Sequence, residues 1–499
     1  MLSPAHHLVR FRADCPPTTP LAWGQLAFWD VLRWLPEGDD SPNLYRWLTV
    51  PAGTRPEQVP AALRVLVERH QALRSHYFEQ DGTPVQHVLG EGELRVAVHE
   101  ATGPDLAAEA QGLGERLRRG ATDHAHDLPL RAAILNRDGA PAAVVLTISH
   151  LAVDAWSFRI VLRDLATLLA AGTPADHVLP PRARQPAERA RYERSEAGLR
   201  REAATLAHWE RRLRVVPPAM LEKSPRSLTT GRDWASVDSP AMALALRAIA
   251  ARTGVTPGTS LVALLGLLLA VRTGEPEAAL RLIVATRFAP EDRDYVGAFN
   301  QNALLHLRVA DEPLEQYLRG AVTTVLAAHR RCEADPRRVE QLVADIAAER
   351  GFTPDSYCFF NDVSFHGDRP PRTAARPDGP AGAEPGPAAV LAALPLTRLE
   401  QLPRQDPQKG AKLFLSLHRL DETCLITLSL DPAFLGHHRA TDLLGDLERL
   451  VVLAATDPDR RTGAVRRSLA GPGAAPDRPE SPAPPPPSHR STQQPKGTK

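Results

Sequence analysis

The 499-residue chain has only four cysteines, no surplus of charge of either sign and no apolar run long enough to cross a bilayer. Each absence excludes something. Cys15, Cys332, Cys358 and Cys424 are scattered without metal-ligand spacing, so no metal site is expected. Four cysteines would also permit two disulfides, but nothing else marks a secreted chain. Arg10, Arg12 and Asp14 stand where a signal peptide needs a basic end leading into an apolar stretch. With 60 basic and 59 acidic side chains, net charge +1, there is no basic excess of the kind nucleic acid or an anionic membrane requires. The arginine run 116–119 reads as a solvated helix face. The longest apolar segment, 261–271, is too short to span a membrane and fits a buried core helix. The expectation is a cytoplasmic protein with neither a nucleic-acid nor a membrane partner.

What is present has an order. A Pro-rich tail over 470–499 lacks the apolar residues to offset ordering entropy, which predicts disorder there. A similar stretch, 367–387, reads as a flexible surface insertion. The break at 172–184 divides an N-terminal lobe, 15–175, from a C-terminal lobe, 185–465. Helical and strand patterns alternate in both, which predicts an α/β class.

The most informative stretch is Ser149-His150-Leu151-Ala152-Val153-Asp154-Ala155-Trp156-Ser157. The apolar, β-branched run before it, 142–148, follows the turn Asp138-Gly139-Ala140-Pro141 and reads as a buried strand. From Ser157 to Ala170, Phe158, Val161, Leu162, Leu165, Leu168 and Leu169 fall at helical spacing. His150 therefore sits where a rigid strand opens into a loop, as a general base requires. His-x-x-x-Asp is by itself a weak signal, and Asp154 is equally a helix cap. Upstream, 57–73 predicts a helix with Pro60 in its first turn. Asp81-Gly82 between 75–80 and 83–88 predicts a hairpin. His437 and His438 lack ligand-like neighbours and read as surface residues, and 359–362 as a buried strand meeting a turn.

Taken together and in order, these segments resemble the condensation domain of nonribosomal peptide synthetases. Pro20-Leu21-Ala22-Trp23-Gly24-Gln25-Leu26-Ala27-Phe28-Trp29 is similar to that family's first motif. Leu66-Val67-Glu68-Arg69-His70-Gln71-Ala72-Leu73-Arg74-Ser75 resembles its Arg-His-Glu-x-Leu-Arg-Thr segment nearly residue for residue. The His150 loop resembles His-His-x-x-x-Asp-Gly-x-Ser. Arg287-Phe288-Ala289-Pro290-Glu291 and Val296-Gly297-Ala298-Phe299-Asn300-Gln301-Asn302 resemble its arginine and Val-Gly-x-Phe-x-Asn segments. The likeness runs from about Pro20 to Ala455. Ser149 stands at the motif's first histidine and Ala155 at its glycine, and the later His-Gln-Asp-x-Pro-Phe motif is not recognisable near 328–335. No carrier-protein or adenylation signature occurs, so the chain looks like a stand-alone, divergent member.

The resemblance implies two chloramphenicol-acetyltransferase-like lobes in a V, with an active-site tunnel at their interface. It implies His150 as the catalytic residue, and a structural Asp154 paired with Arg287. Ser149, Ala155, Ser157, Asn300, Gln301 and Asn302 are the substrate-tunnel candidates, Ala155 through its N–H toward an oxyanion. Ser149 reads equally as a strand-end hydroxyl bonding the backbone, and the three amides as turn chemistry in a loop. Trp29 and Trp156 read as core. No bound cofactor is expected. The donor would carry phosphopantetheine, on an acyl or peptidyl carrier protein in trans or as CoA, and the acceptor would be a small-molecule amine or alcohol. Two other readings stand beside this one: a CoA-dependent acyltransferase on the same fold, and a non-catalytic scaffold that recruits a partner enzyme.

Overall fold

The computed structural model describes residues 5–36, 38–172, 174–218, 220–221, 231–364, 385–405, 410–434 and 439–469. Most of the predicted insertion, the predicted tail, and His437 with His438 lie outside them.

The first half is built on β1 (His6–Arg12), β2 (Thr19–Pro20), β3 (Asn43–Thr49), β4 (Ser75–Gln80), β5 (Thr83–Val88), β6 (Glu91–Glu100), β7 (Leu130–Arg137) and β8 (Ala140–Ser149). Five of these form a mixed sheet in the order β1-β6-β7-β8-β3, and β2-β5-β4 form a small one. Its helices are α1 (Trp23–Leu32), α2 (Gln58–Arg69), α3 (Leu106–Leu117) and α4 (Ala155–Ala170). β1 belongs to the first sheet, so that sheet begins ahead of the boundary expected at 15.

The unbroken apolar run of β8 has a direct cause. Val144, Leu146 and Ile148 face the core shared with α2 and α4, while Ala143 and Val145 face a second cluster around α3. A strand covered on both faces has no polar alternation. The turn before it is Asp138-Gly139 alone, both at positive φ, and Ala140 and Pro141 already lie in the strand. The Asp81-Gly82 hairpin forms as predicted, again with both residues at positive φ. The helix expected over 57–73 ends at Arg69 instead. His70 is extended, and a short 3₁₀ turn, Gln71–Arg74, follows. The reason is tertiary: His70 Nε2 meets the buried Asp164 Oδ2 of α4 at 3.0 Å, which fixes a non-helical geometry.

The second half contains α5 (Pro186–Glu193), α6 (Glu196–Leu213), β9 (Arg232–Ser239), α7 (Pro240–Thr253), α8 (Pro257–Thr273), β10 (Glu277–Ala285), β11 (Asn300–Arg308), α9 (Leu314–His329) and α10 (Pro336–Arg350). It continues with β12 (Cys358–Asp362), α11 (Pro387–Ala393), β13 (Arg398–Gln405), β14 (Leu413–Leu420), β15 (Cys424–Leu430), α12 (Ala440–Thr456) and α13 (Thr462–Leu469). Its seven-stranded sheet runs β11-β10-β12-β14-β15-β9-β13, parallel only where β12 meets β10 and β14. α8 is buried continuously from Ser260 to Val271, matching the predicted core helix. Among the described residues no single helix is long and apolar enough to cross a membrane; α7 and α8 pass such a test only as a pair bent by 105°.

Two principal apolar cores result. One runs from Val9 to Leu179 and takes Val296 from the second half, and the other runs from Val216 to Val465. All four cysteines are free; Cys332, Cys358 and Cys424 are buried and Cys15 is exposed.

Candidate functional site

β8 delivers His150 to the junction of the two halves. Its last residue, Ser149, is buried; the Ser149 N–H donates to Pro129 O, and the His150 N–H to Pro42 O at 2.8 Å. The chain then turns tightly, with the Ala152 and Val153 N–H groups donating to Ser149 O. Asp154 caps α4 by accepting from Ser157 N at 2.7 Å, so the helix begins at Ala155, two residues before its predicted start. Ala155, half-buried at the first helical position, has one of the N–H groups a helix leaves without an internal partner.

Asp154 does more than cap. Its carboxylate receives a bidentate pair from Arg287, Nη1 to Oδ2 at 3.0 Å and Nη2 to Oδ1 at 2.9 Å, with the two side chains 1% and 5% exposed. It also accepts from Phe299 N at 3.2 Å. Ser157 joins the same network. Its hydroxyl accepts from Arg287 Nη2 at 2.7 Å and from Gly297 N at 3.0 Å, and lies 2.7 Å from Gly297 O. Burial pushes the Asp154 carboxyl up, but the guanidinium and the N–H donors outweigh it and hold the group below the ordinary carboxylate value. Arg287 lies over the rings of Trp156 and Phe299, at 5.8 and 5.3 Å from the centroids. The Val-Gly-Ala-Phe segment, 296–299, is thus bound to the start of α4.

His150 is half-buried as a residue, with its Nδ1 fully buried and without a hydrogen-bond partner in any other described residue. Burial lowers its pKa, against opposing contributions from its own backbone and the Asp154 carboxylate, so the imidazole is neutral at pH 7. Phe28 of α1 stacks on it, ring centroids 4.3 Å apart and planes 17° from parallel. Sequence reasoning had no signal for that contact, since the residues are 122 positions apart. Ser149 bonds a backbone N–H, that of Leu151 at 3.3 Å, and also His124 Nε2 at 2.7 Å, a partner the sequence did not indicate. Burial pushes the His124 pKa down to about 4.

The tunnel candidates separate. Ser149 and Ser157 are buried inside hydrogen-bonded packing, which removes their hydroxyls from any accessible wall. Asn300, Gln301 and Asn302 open strand β11 rather than lying in a loop, because they pair with Ala285, Val284 and Ile283 of β10. Asn302 is exposed and Asn300 half-buried. Gln301 is buried; with its amide oriented to satisfy both ends, it accepts from Gly24 N at 3.0 Å and donates to Ala334 O at 3.1 Å. Trp29 and Trp156 are partly buried and pack against the first core. A separate concavity of about 780 Å³ between α6, β11 and α9 is lined by Arg211, Arg212, Glu277, His306 and Arg308, and includes none of the His150 site.

The first motif explains how the halves meet. A Cβ at Gly24 would lie 2.4 Å from Ala298 O and 2.9 Å from Phe299 Cα, so only glycine lets α1 lie against that backbone. Glu193 of α5 accepts from Trp23 N at 2.7 Å, and Arg337 of α10 pairs with Asp30 at 2.7 and 3.0 Å. Glu193 itself sits in a buried cluster with Arg189, Asp292 and Glu333.

Comparison with known proteins gives the same pattern a family. The condensation-domain family matches residues 38–350. Phosphinothricin tripeptide synthetase PhsC of Streptomyces viridochromogenes is 31% identical over 315 residues, covering 60% of this chain and 28% of PhsC. PhsB of the same organism is 29% identical over 362 residues, 68% of this chain and 29% of PhsB. The chain therefore spans under a third of either relative. Among solved structures, the SgcC5 protein of Streptomyces globisporus superposes with TM-score 0.65 at 22% identity, covering 89% of this chain and all of SgcC5. The X-domain from teicoplanin biosynthesis does so with TM-score 0.64 at 20% identity, over 91% and 98% of the two chains. These likenesses show a shared fold, chloramphenicol-acetyltransferase-like α/β. The family match takes in more than half of the chain, including the His150 loop, Arg287 and the 296–299 segment, and the chain belongs to the condensation-domain family.

Proposed function

We propose that the protein is a stand-alone condensation enzyme that joins a carrier-bound acyl or aminoacyl thioester to an amine. The observation that carries this is a neutral, half-buried imidazole on a loop whose far end is bound to the other half of the chain through Asp154 and Arg287. The acceptor nitrogen attacks the thioester carbonyl, the new C–N bond forms, the C–S bond breaks, and the thiolate leaves, receiving through His150 the proton the amine has lost. His150 accepts the proton of the attacking amine, help typically worth about 10²–10⁴-fold. The Ala155 N–H at the start of α4 faces the developing oxyanion. Asp154 and Arg287 hold the loop and take no proton. The phosphopantetheine thioester is substrate, delivered by a carrier protein in trans.

Ester formation with an alcohol follows the same proton path, and the SgcC5 structure was solved with a naphthyl ethanediol. A second reading, a scaffold without chemistry, is supported by Ser149 and Ala155 at motif positions and by the X-domain neighbour, solved as a complex with OxyB. Mass spectrometry after incubation with acyl-loaded carrier or acyl-CoA and candidate amines separates these readings. Product that disappears in a folded His150→Ala variant supports the first. Product from acyl-CoA without carrier assigns a CoA-dependent acyltransferase, and unchanged turnover in His150→Ala overturns the site. No turnover with any donor, together with stable capture of a biosynthetic enzyme, supports the scaffold.

A further inference from the structure

A working imidazole usually has its ring orientation set by a hydrogen bond at its second nitrogen. His150 has no such bond to another described residue: Nδ1 is buried, and the ring's hydrogen-bonding contribution comes from its own backbone. What the ring has instead is the face of Phe28, 4.3 Å away and 17° from parallel. We propose that Phe28 is a positioning residue for His150, holding the imidazole by stacking and tying its orientation to the contact between the two halves of the chain. This rests on the reading of His150 as the group that handles the proton.

The second clause follows from where Phe28 sits. Gly24 and Phe28 are four residues apart on α1 and so share a face. Gly24 lies against the Ala298–Phe299 backbone. The Phe299 N–H in turn donates to Asp154 Oδ2. The contacts thus close a circuit from Asp154 through Phe299, Gly24 and Phe28 back to His150. The Asp154 end of the loop is held by the second half through Arg287 and the Phe299 N–H, and the His150 end by Phe28 of α1, a helix that itself lies against the second half. Asp30–Arg337 and the Trp23 N–H to Glu193 bond hold α1 in place at the same junction. A shift of α1 relative to β11 moves the ring that flanks the imidazole. Burial, to which Phe28 contributes, is also the largest influence on His150, lowering its pKa.

The test uses the full chain and needs no substrate. Histidine-labelled protein is titrated by NMR, and the rate of His150 carbethoxylation by diethyl pyrocarbonate is followed by peptide mass spectrometry. The variants are Phe28→Ala, Phe28→Leu and Phe28→Tyr. Phe28→Ala is expected to move the His150 midpoint up toward the free value of about 6.5, and to speed carbethoxylation several-fold. Phe28→Leu, apolar but without a face, does the same to a smaller degree, and Phe28→Tyr returns both readouts to the wild-type values. Asp30→Asn shifts both in the direction of Phe28→Ala. Midpoint and rate unchanged in folded Phe28→Leu overturn the stacking role even if Phe28→Ala fails to fold; an unmoved Asp30→Asn overturns the coupling. Where turnover is measurable, Phe28→Leu lowers kcat about 10-fold with little change in KM. Full activity in His150→Ala, with the Phe28 effects intact, refutes the catalytic reading and leaves the positioning standing.

Discussion

Asp154→Ala removes four interactions from a fully buried point: two from Arg287, one from Ser157 N and one from Phe299 N. Breaking a buried ion pair by deleting one partner costs about 3–5 kcal/mol, because the remaining charge is left without compensation. The lost cap adds about 1 kcal/mol. Arg287→Ala leaves Asp154 with its two N–H donors and stays at the lower end of the same range. Against a usual domain stability of about 5–15 kcal/mol, either loss is severe. The double variant destabilises by less than the sum, with a coupling of at least about 2 kcal/mol, since once one partner is gone the other is a liability. Equilibrium denaturation read by circular dichroism and tryptophan fluorescence together measures this and exposes any separate transition of the two cores. Single losses below about 1 kcal/mol, or additivity within about 0.5 kcal/mol, would refute the buried-pair reasoning. The pH arm has a fixed sign. The folded carboxyl lies below its ordinary 3.8, so its contribution is complete above that value and is lost as pH falls through the depressed one. The stability gap between wild type and Asp154→Asn should therefore close below pH 3.8.

Other outcomes follow from single contacts. His124 titrates in the folded protein at about 4 against a free value of 6.5. The unfolded chain therefore binds the extra proton between those values, and stability falls as pH drops from 6.5 to 4, by about 3 kcal/mol in all; His124→Asn should remove that loss in pH-dependent denaturation. Gly24→Ala places a methyl against the Ala298 carbonyl and should cost about 1–3 kcal/mol, read as a lowered Tm, by forcing α1 off the junction. A thiol reagent should label only Cys15 in the native protein, because the other three are buried, and all four after denaturation.

Local signals carried far in this chain. The Asp81-Gly82 and Asp138-Gly139 turns, the two-sided burial of β8 and the all-round burial of α8 are written in short stretches whose backbone or periodicity has one cheap solution. The Asp154–Arg287 pair was legible only because ordered motifs lent each other meaning. Where sequence reasoning missed, a distant residue decided. Asp164 ends α2 at His70. β10 draws Asn300 to Asn302 out of a loop into strand β11.

The sequence by itself determined the fold class, the family likeness and the strand-to-helix loop that bears His150, because these depend on spacing along the chain. Only the tertiary structure decided what surrounds the imidazole. Phe28 on its face, His124 behind Ser149 and the Ser157 hydroxyl under Arg287 are contacts between segments 25 to 130 residues apart. Periodicity carries no information about such pairs, because burial and stacking depend on distance in space rather than on spacing in the chain.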